Sequence, residues 1–165
     1  MEVSSHALDQ HRVDGTRFSA VAFTNLSRDH LDHHHTMESY AAAKERLFSP
    51  SFTDQAVVLV DSEAGRRVAD RALEAGLTVV EVSVANIDRT VQLNQVAFSW
   101  RGLDVQVPVG GDFTVANSVL AAELALLAGV EPTVIVDGLA GVAPIPGRFE
   151  PVEVEGGAIV IVDYA

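Results

Sequence analysis

The sequence predicts an α/β fold in which a mostly parallel sheet is covered by helices. Short apolar runs predict buried strands at residues 17–26, 55–61 and 77–84. Between them, residues 37–48 and 62–76 are predicted to be helices. Strands that alternate with helices pair in parallel, because each helix carries the chain back to the same edge of the sheet.

Each helix has signals at its ends. Thr36 precedes the first helix and is expected to be its N-cap, and Glu38 places a carboxylate in the first turn. Gly76 is typical of the residue that ends a helix, so the second helix is predicted to stop there. The start of the first helix and the end of the second are therefore both marked in the sequence.

The pattern changes in the second half of the chain. Arg101-Gly102 separates two strand-like segments, which predicts a hairpin turn. Helices are predicted at residues 117–129 and 132–141, the latter opened by Pro132, because proline suits a first helical turn. Two final strands, FEPVEVE at residues 149–155 and AIVIVDYA at residues 158–165, are expected on either side of Gly156-Gly157.

Two domains are predicted, at residues 1–145 and 146–165. The boundary lies in PIPGRF, residues 144–149, a segment with the stiffness of a connection between domains. Both ends of the chain fall where strands end in an open parallel sheet. We therefore expect the chain to be part of a longer protein.

The composition limits the classes of function. The net charge of −12 disfavours sequence-independent nucleic-acid binding, which needs clustered cations, but tolerates divalent metal ions. There is no cysteine, which excludes disulfides and thiolate zinc sites. The first residues do not resemble a signal peptide, and no apolar run of about 18 residues predicts a membrane span. We expect a soluble, cytoplasmic protein.

Lys44 is the only lysine, whereas the ten other basic residues are arginine. It lies on the apolar stripe of the helix 37–48, where a lysine usually buries its stem and extends its ammonium to water. Arginine serves that purpose equally well, but only a lysine becomes a neutral amine near physiological pH when it is desolvated. A solvent-seeking cation and a reactive amine are both open interpretations.

The densest polar segment, DHLDHHH at residues 29–35, follows a predicted buried strand. Its imidazole and carboxylate groups are suitable ligands for a divalent metal ion. The alternative is a solvated histidine-rich loop, because three consecutive histidines cannot all point in one direction. No HExxH motif supports a zinc hydrolase.

A second polar cluster is suited to an anionic or hydroxylated substrate and consists of Ser4, Ser5, His6, Gln10, His11 and Arg12. A Ser-His nucleophile pair is conceivable, but no Gly-x-Ser-x-Gly elbow surrounds either serine, which disfavours a hydrolase. Gly110-Gly111 precedes a predicted helix and raises the question of phosphate binding. No glycine is followed by lysine, so the chain has no Walker A loop.

Several segments, taken in order, resemble the signatures of one enzyme family. They are MEVSSHALDQHRV, FTNLSRDHLDHHHTMESYAAAKERLF, GDFTVANSVLAA, PGRFE and VDYA. The family is that of the Mur ligases, and the resemblance is closest to the MurE type, the UDP-N-acetylmuramoyl-tripeptide synthetases. It is strong up to residue 48 and again from residue 111 onward.

The resemblance implies a fold and a reaction. Residues 1–145 would be the later part of the central ATPase domain, a partial Rossmann-like sheet, and residues 146–165 the first strands of the C-terminal ligase domain. The intact enzyme, expected to be a monomer, would use ATP and Mg²⁺ to activate a carboxylate as an acyl phosphate. An amino acid amine would then attack it. The substrates would be UDP-MurNAc-L-Ala-D-Glu and either meso-diaminopimelate or L-lysine, and the chain alone is expected to be inactive.

The same resemblance implies roles for individual residues. Lys44 matches a lysine that the family carbamylates. The implied magnesium ligands are Glu2 and His30, the contacts to the nucleotide-sugar peptide are Ser4, Gln10 and Arg12, and the ATP contacts are Asn117, Arg148 and Asp163. Thr114 stands where the family usually has asparagine, and His33 to His35 would be loop variation.

Two alternatives remain open. One is another member of the same superfamily, of the folylpolyglutamate or cyanophycin synthetase type. The other is a stand-alone metal-binding module built on the histidine segment. The segments MEVSSH, SRDHLD and AAAK favour the MurE type.

Overall fold

The computed structural model describes residues 1–154 and 157–164, which fall into two compact units, Met1–Ser83 and Val84–Ala165. The first unit contains a parallel three-stranded sheet, and the second contains an antiparallel three-stranded sheet and a separate hairpin. The α/β class is therefore confirmed, with the parallel pairing in the first unit. The predicted domain boundary between residues 145 and 146 stays a prediction.

The sheet of the first unit has the order β1-β2-β3, with both pairings parallel. The strands are β1 (Val21–Phe23), β2 (Gln55–Leu59) and β3 (Thr78–Val82). Ala56, Val57 and Val58 of the central strand are fully buried, as its apolar run predicts. β1 is shorter than predicted, because the earlier Phe18 donates its N–H to the Phe52 carbonyl outside the sheet, at 2.7 Å.

Four helices belong to the first unit: α1 (Ser5–Asp9), α2 (Leu31–His34), α3 (Met37–Glu45) and α4 (Glu63–Glu74). The cap at Thr36 is confirmed, since its Oγ1 accepts a hydrogen bond from the Ser39 N–H at 3.1 Å. α3 ends before the predicted residue 48, because Leu47 and Phe48 continue it with tighter hydrogen bonds to carbonyls three residues back. The short helices α1 and α2 were not predicted.

Glycine allows α4 to approach the sheet closely. Ser62 caps this helix, and its Oγ accepts a hydrogen bond from the Gly65 N–H at 3.0 Å. A Cβ atom at Gly65 would lie 1.9 Å from the carbonyl oxygen of Leu59. The start of α4 therefore lies against the carboxyl end of β2, where a side chain would not fit.

Among its described residues, the second unit contains five strands and two helices. They are β4 (Arg89–Val91), β5 (Val96–Trp100), β6 (Leu103–Val107), α5 (Phe113–Leu127), α6 (Pro132–Ala140), β7 (Glu150–Glu153) and β8 (Ile159–Val162). The turn between β5 and β6 is confirmed: Arg101 and Gly102 have φ values of 51° and 79°, in the left-handed region that a two-residue hairpin turn uses. Pro132 opens α6 as predicted.

α5 begins four residues earlier than the predicted start at residue 117. The β-branched residues Thr114 and Val115 have weak helix propensity, but packing compensates for it. Val115 is fully buried, and the Thr114 hydroxyl donates a hydrogen bond to the Gly110 carbonyl at 2.7 Å. Thr114 therefore uses its hydroxyl inside the fold.

β7 and β8 form an antiparallel hairpin whose apolar side chains are exposed. Ile159 and Val160 are 49% and 48% exposed. Both strands are shorter than predicted; Gly157 adopts a φ of 79°, and Gly156 lies outside the described residues. Within the part of the chain that the structure describes, no helix is both long and apolar enough to cross a membrane.

Candidate functional site

Polar groups of the first unit collect at the carboxyl edge of the parallel sheet. Asn25 comes shortly after β1, Asp61 after β2 and Ser83 after β3. The Ser83 hydroxyl donates a hydrogen bond to Asp61 and so connects the ends of two neighbouring strands. This edge of an open parallel sheet is the usual place for a ligand, so it is the candidate site.

Lys44 reaches this edge from α3. Its Nζ donates a hydrogen bond to the Asn25 carbonyl at 3.0 Å, and it lies 5.1 Å from the centroid of the Tyr40 ring. The side chain is half-buried. Lys44 is thus held beside the polar groups of the sheet rather than directed freely into water.

The partners of Lys44 are neutral. Within residues 1–154 and 157–164, no carboxylate forms an ion pair with its amine. Arg17, Arg67 and Arg101, by contrast, each bind a carboxylate. The hydrogen-bond partner of Lys44 is thus a neutral main-chain oxygen, whereas these arginines are paired with anions.

The two residues after Lys44 fix α3 in position. The Glu45 carboxylate, 8% exposed, accepts a hydrogen bond from Arg67 Nε at 2.8 Å. Arg46 Nη1 donates a hydrogen bond to the Leu8 carbonyl at 2.5 Å. α3 is therefore tied to α4 by one residue and to α1 by the next, which limits the movement of Lys44.

Four imidazole rings meet where α1 and α2 approach each other. The centroid of the His6 ring lies 5.0 Å from that of His30, 4.1 Å from that of His33 and 5.5 Å from that of His34. His34 is 6% exposed and stacks on Tyr40, with 5.2 Å between the centroids. The interpretation of this segment as a solvated loop is wrong for His34, because α2 turns its ring into the unit.

Hydrogen bonds fix two of these rings. His34 Nε2 lies 2.9 Å from the Ser5 hydroxyl, and His33 Nε2 lies 2.9 Å from the Asp9 carboxylate. Burial lowers the pKa of His34, and the neighbouring rings of His33 and His6 lower it further. The hydrogen bond from His33 lowers the pKa of Asp9. His34 therefore favours its neutral form.

The described residues do not form a metal cage. Among them, no group of three or more His, Cys, Asp or Glu side chains is arranged to hold a metal ion. Glu2 is exposed and His30 is half-buried. Mg²⁺ is often held by one or two carboxylates together with water and substrate phosphates, so Glu2 suits a site that a phosphate ligand completes. The magnesium roles of Glu2 and His30 stay predictions.

The predicted substrate contacts lie on and around α1. Ser4 is the N-cap of this helix, and its Oγ accepts a hydrogen bond from the Ala7 N–H at 3.1 Å. Gln10 and Arg12 are exposed. Because α1 and Lys44 belong to the same unit, the structure brings these candidates into one region, while their role in binding stays a prediction.

The predicted ATP contacts lie in the second unit. Asn117 is exposed on α5. Arg148 Nη1 donates a hydrogen bond to the carbonyl of Tyr164, the residue that follows Asp163. Gly147 makes room for this contact, because a Cβ atom there would lie 2.3 Å from the Tyr164 ring. Arg148 and Asp163 are thus brought to one place, and their role in binding ATP stays a prediction.

One feature of the site was not found from the sequence. The Asn25 carbonyl gives no signal, because every residue carries the same main-chain group. Tyr40, by contrast, lies four residues before Lys44 on the same apolar stripe, a spacing that signals their contact. The sequence therefore identified the amine and its helix face but not its hydrogen-bond partner.

The sequence and the fold match an established family. Residues 1–125 match the family model for the Mur ligase middle domain, and the chain belongs to the Mur ligase family. The 2,6-diaminopimelate ligase of Alkalilimnicola ehrlichii, named for the acceptor UDP-N-acetylmuramoyl-L-alanyl-D-glutamate, is 42% identical over 177 aligned residues. That alignment covers 100% of this chain and 35% of that protein.

Solved structures give the same result. A ligase structure with the same name has a TM-score of 0.78 and 29% identity, and the match covers 93% of this chain and 34% of that one. These findings confirm the resemblance to the Mur ligases of the MurE type. The folylpolyglutamate synthase of Thermotoga maritima shares the fold, with 18% identity and a TM-score of 0.63, over 88% of this chain and 34% of that one. The chain spans about a third of the length of the curated relatives it matches.

Proposed function

We propose that this chain forms part of an ATP-dependent ligase that adds 2,6-diaminopimelate to UDP-MurNAc-L-Ala-D-Glu in peptidoglycan synthesis. Relatives that carry this activity in their names are 42% and 37% identical across the whole chain. Their names favour diaminopimelate over L-lysine as the amino acid added. Membership of the Mur ligase family supports the reaction class.

The proposed reaction has two steps. ATP transfers its terminal phosphoryl group to a carboxylate of the acceptor, which gives an acyl phosphate and ADP. The amine of the amino acid then attacks the acyl carbon, the amide bond forms, and phosphate leaves. Mg²⁺, for which Glu2 and His30 are the proposed ligands, supplies positive charge that reduces repulsion between ATP and the carboxylate.

The placement of Lys44 is the observation that supports this function most strongly. The only lysine of the chain lies at the carboxyl edge of the parallel sheet, where it is held by the Asn25 carbonyl and has no carboxylate partner among the residues that the structure describes. Addition of CO2 to its amine gives a carbamate, which carries negative charge and two acceptor oxygens. An anion at this edge would help to hold Mg²⁺, whose positive charge would reduce the repulsion between the two anionic substrates.

The remaining candidates are proposed to bind the substrates. Ser4, Gln10 and Arg12 would contact the nucleotide-sugar peptide, and Asn117, Arg148 and Asp163 would contact ATP. The exposure of Gln10, Arg12 and Asn117 supports such contacts, because their polar groups are accessible.

The test uses a full-length ligase that carries this segment. Lys44→Arg should abolish amide formation, because a permanent cation replaces the carbamate, and Lys44→Ala should be partly rescued by short carboxylic acids. Arg66→Lys is the matched control. Like Lys44, Arg66 is a cation that donates a hydrogen bond to a main-chain oxygen just beyond a strand, here the Val60 carbonyl at 2.9 Å. This exchange of one cation for another should leave amide formation intact. Normal turnover in Lys44→Arg would overturn the proposal.

The chain by itself is expected to show no turnover. It contains no Walker A loop, so the phosphates of ATP have no cradle of that kind in these 165 residues. An assay for ADP release with ATP, acceptor and amino acid checks this expectation, and amide formation by the purified chain would contradict it.

A further inference from the structure

The chain makes a turn at the end of α1, between two of the proposed substrate contacts. The His11 N–H donates a hydrogen bond to the Leu8 carbonyl at 3.1 Å. The Arg12 N–H donates one to the Ala7 carbonyl at 2.8 Å. This pair of bonds closes many helices, and its central residue takes a left-handed conformation. Here that residue is His11, with a φ of 57°, so it sets the directions of Gln10 and Arg12 on either side.

Histidine is an unfavourable residue at this position. Glycine is the usual choice in the left-handed region, because a Cβ atom there comes too close to the following carbonyl oxygen. A residue with a side chain keeps such a conformation only where its surroundings hold it. The turn at His11 therefore depends on contacts from the rest of the unit.

Arg46, the residue that ends α3, makes these contacts. Its Nη1 donates a hydrogen bond to the Leu8 carbonyl at 2.5 Å. Its Nη2 lies 3.1 Å from His11 Nδ1, which in turn lies 2.7 Å from a carboxylate oxygen of Asp14. A guanidinium is planar and rigid, so contacts at two of its nitrogens fix its orientation. Arg46 thus connects the end of α3 to the end of α1 and to the left-handed residue.

Arg12 and Arg46 lie in the same region but differ in their contacts. The guanidinium of Arg46 binds within the unit, whereas that of the exposed Arg12 has no hydrogen-bond or ion-pair partner in the described part of the chain. A free guanidinium is suited to the phosphate or carboxylate groups of a ligand. Arg46 also follows Lys44 by two residues, so it links the helix of the proposed reactive amine to the turn that carries Arg12.

We propose that Arg46 is a positioning residue for the nucleotide-sugar peptide. It holds His11 in the left-handed conformation, and the turn then presents Gln10 and Arg12 to the substrate. This inference rests on the proposed function, in which those two residues contact the substrate. It adds the residue that sets their direction.

Steady-state kinetics of a full-length ligase that carries this segment test the inference. Arg46→Leu should raise the KM for the nucleotide-sugar peptide about tenfold, because its contacts are misplaced. The kcat and the KM for ATP should change little, because Glu45 still ties α3 to α4. Arg67→Leu is the matched control: it removes an arginine that holds α3 from the side of α4 and should leave the KM for the peptide substrate unchanged.

A second substitution separates positioning from a general loss of stability. Glycine takes the left-handed conformation without steric cost, so with His11→Gly the turn no longer depends on Arg46. The double variant His11→Gly, Arg46→Leu should therefore recover the normal KM to within about twofold. A KM that stays high in the double variant would overturn the proposal.

Amide hydrogen exchange in the 165-residue chain reports on the turn itself. The Arg12 N–H should exchange about tenfold faster in Arg46→Leu, because its bond to the Ala7 carbonyl opens more often, and should be protected again in the double variant. Unchanged protection together with a raised KM would mean that Arg46 contacts the substrate directly, which contradicts a positioning role. Arg46→Lys keeps the charge but contacts fewer groups; it should show the same changes to a smaller extent, which keeps the test decisive if Arg46→Leu does not fold.

Arg12→Ala separates this inference from the function on which it rests. An unchanged KM for the nucleotide-sugar peptide in Arg12→Ala would remove the substrate role of Arg12 and the inference with it. A raised KM in Arg12→Ala but not in Arg46→Leu would overturn the positioning role alone. The Lys44→Arg assay tests the reaction independently of both results.

Discussion

Among the described residues, two cations lie over aromatic rings, one in each unit, and their partners differ. Arg101 in the second unit lies 5.7 Å from the centroid of the Trp100 ring. Its Nε and Nη2 donate to the Glu123 carboxylate at 3.0 and 2.8 Å, and Trp100 Nε1 donates to the same carboxylate at 2.9 Å. This guanidinium is fixed by charge as well as by geometry.

Lys44 in the first unit has the opposite surroundings. It also lies over a ring, that of Tyr40, but its hydrogen-bond partner is the neutral Asn25 carbonyl. Arginine is suited to the bidentate pair in the second unit, and lysine to a position where the amine gives up a proton. The comparison supports a structural role for Arg101, while the chemical role of Lys44 stays a proposal.

The largest effect on stability is expected from Glu123→Ala. This change leaves the buried Trp100 N–H without its acceptor and Arg101 without its anion, which should lower the free energy of unfolding by about 2 kcal/mol. Urea unfolding followed by circular dichroism measures it. Asp137→Ala removes an exposed carboxylate of the same unit and should change stability by less than about 0.5 kcal/mol. Equal effects of the two changes would refute the structural role of Glu123.

As the pH falls, the two units should lose stability in different pH ranges. Burial raises the pKa of Glu123, but hydrogen bonds from Arg101 and Trp100 outweigh it, so the pKa lies below its ordinary 4.5. The stability that this carboxylate contributes is present above pH 4.5 and is lost as the pH falls through the lowered value.

His34 should respond at higher pH. The pKa of His34 is lower in the folded chain than the ordinary 6.5 of the unfolded chain. As the pH falls below 6.5, the unfolded chain therefore takes up a proton that the folded chain does not yet bind, and the free energy of unfolding decreases. Amide hydrogen exchange should therefore show β2 losing protection at a higher pH than β5. His34→Phe keeps a ring on Tyr40 and should abolish the early loss; an unchanged profile in that variant would contradict the assignment.

A smaller effect is expected from Arg101→Lys. A lysine replaces the two-pronged contact to Glu123 by a single ammonium contact, and the side chain is half exposed, so the cost should be about 1 kcal/mol. Thermal and urea unfolding measure this change. If Arg101→Lys lowered the free energy of unfolding as much as Glu123→Ala, the guanidinium rather than the carboxylate would be the main source of stability among Trp100, Arg101 and Glu123.

The smallest effect is expected from Lys44→Arg. No ion pair is broken, so the stability of the chain should change by less than about 0.5 kcal/mol, although the proposed chemistry is lost. Arg46→Lys is the control on the same helix, and it should cost more because Arg46 binds both the Leu8 carbonyl and His11. A large loss in Lys44→Arg would show that Lys44 is a structural cation like Arg101.

The sequence predicted the features that depend on local pattern. The apolar run in β2, the Thr36 cap and the turn at Arg101-Gly102 are all confirmed. Each follows from a rule about neighbouring residues, such as the left-handed conformation that a two-residue turn requires. The lone Lys44 was likewise visible from composition alone.

The features that the sequence did not predict depend on tertiary contact. α1 and α2 have five and four residues, far shorter than a helix that is stable by itself. They are held by contacts between distant residues, such as His34 with Ser5 and His33 with Asp9. No local pattern reports such pairs, so the burial of His34 could be seen only in the fold.

The central claim is that the Lys44 amine forms a carbamate, and one measurement tests it most directly. In the Arg101→Lys variant, carbamates that form under CO2 are trapped by alkylation and located by peptide mass spectrometry. This variant carries two lysine amines over aromatic rings, one beside Glu123 and one without an anion. The account predicts a trapped carbamate at Lys44 and none at position 101, where the carboxylate holds the amine in its charged form. Equal trapping at both positions, or trapping at position 101 alone, would contradict it.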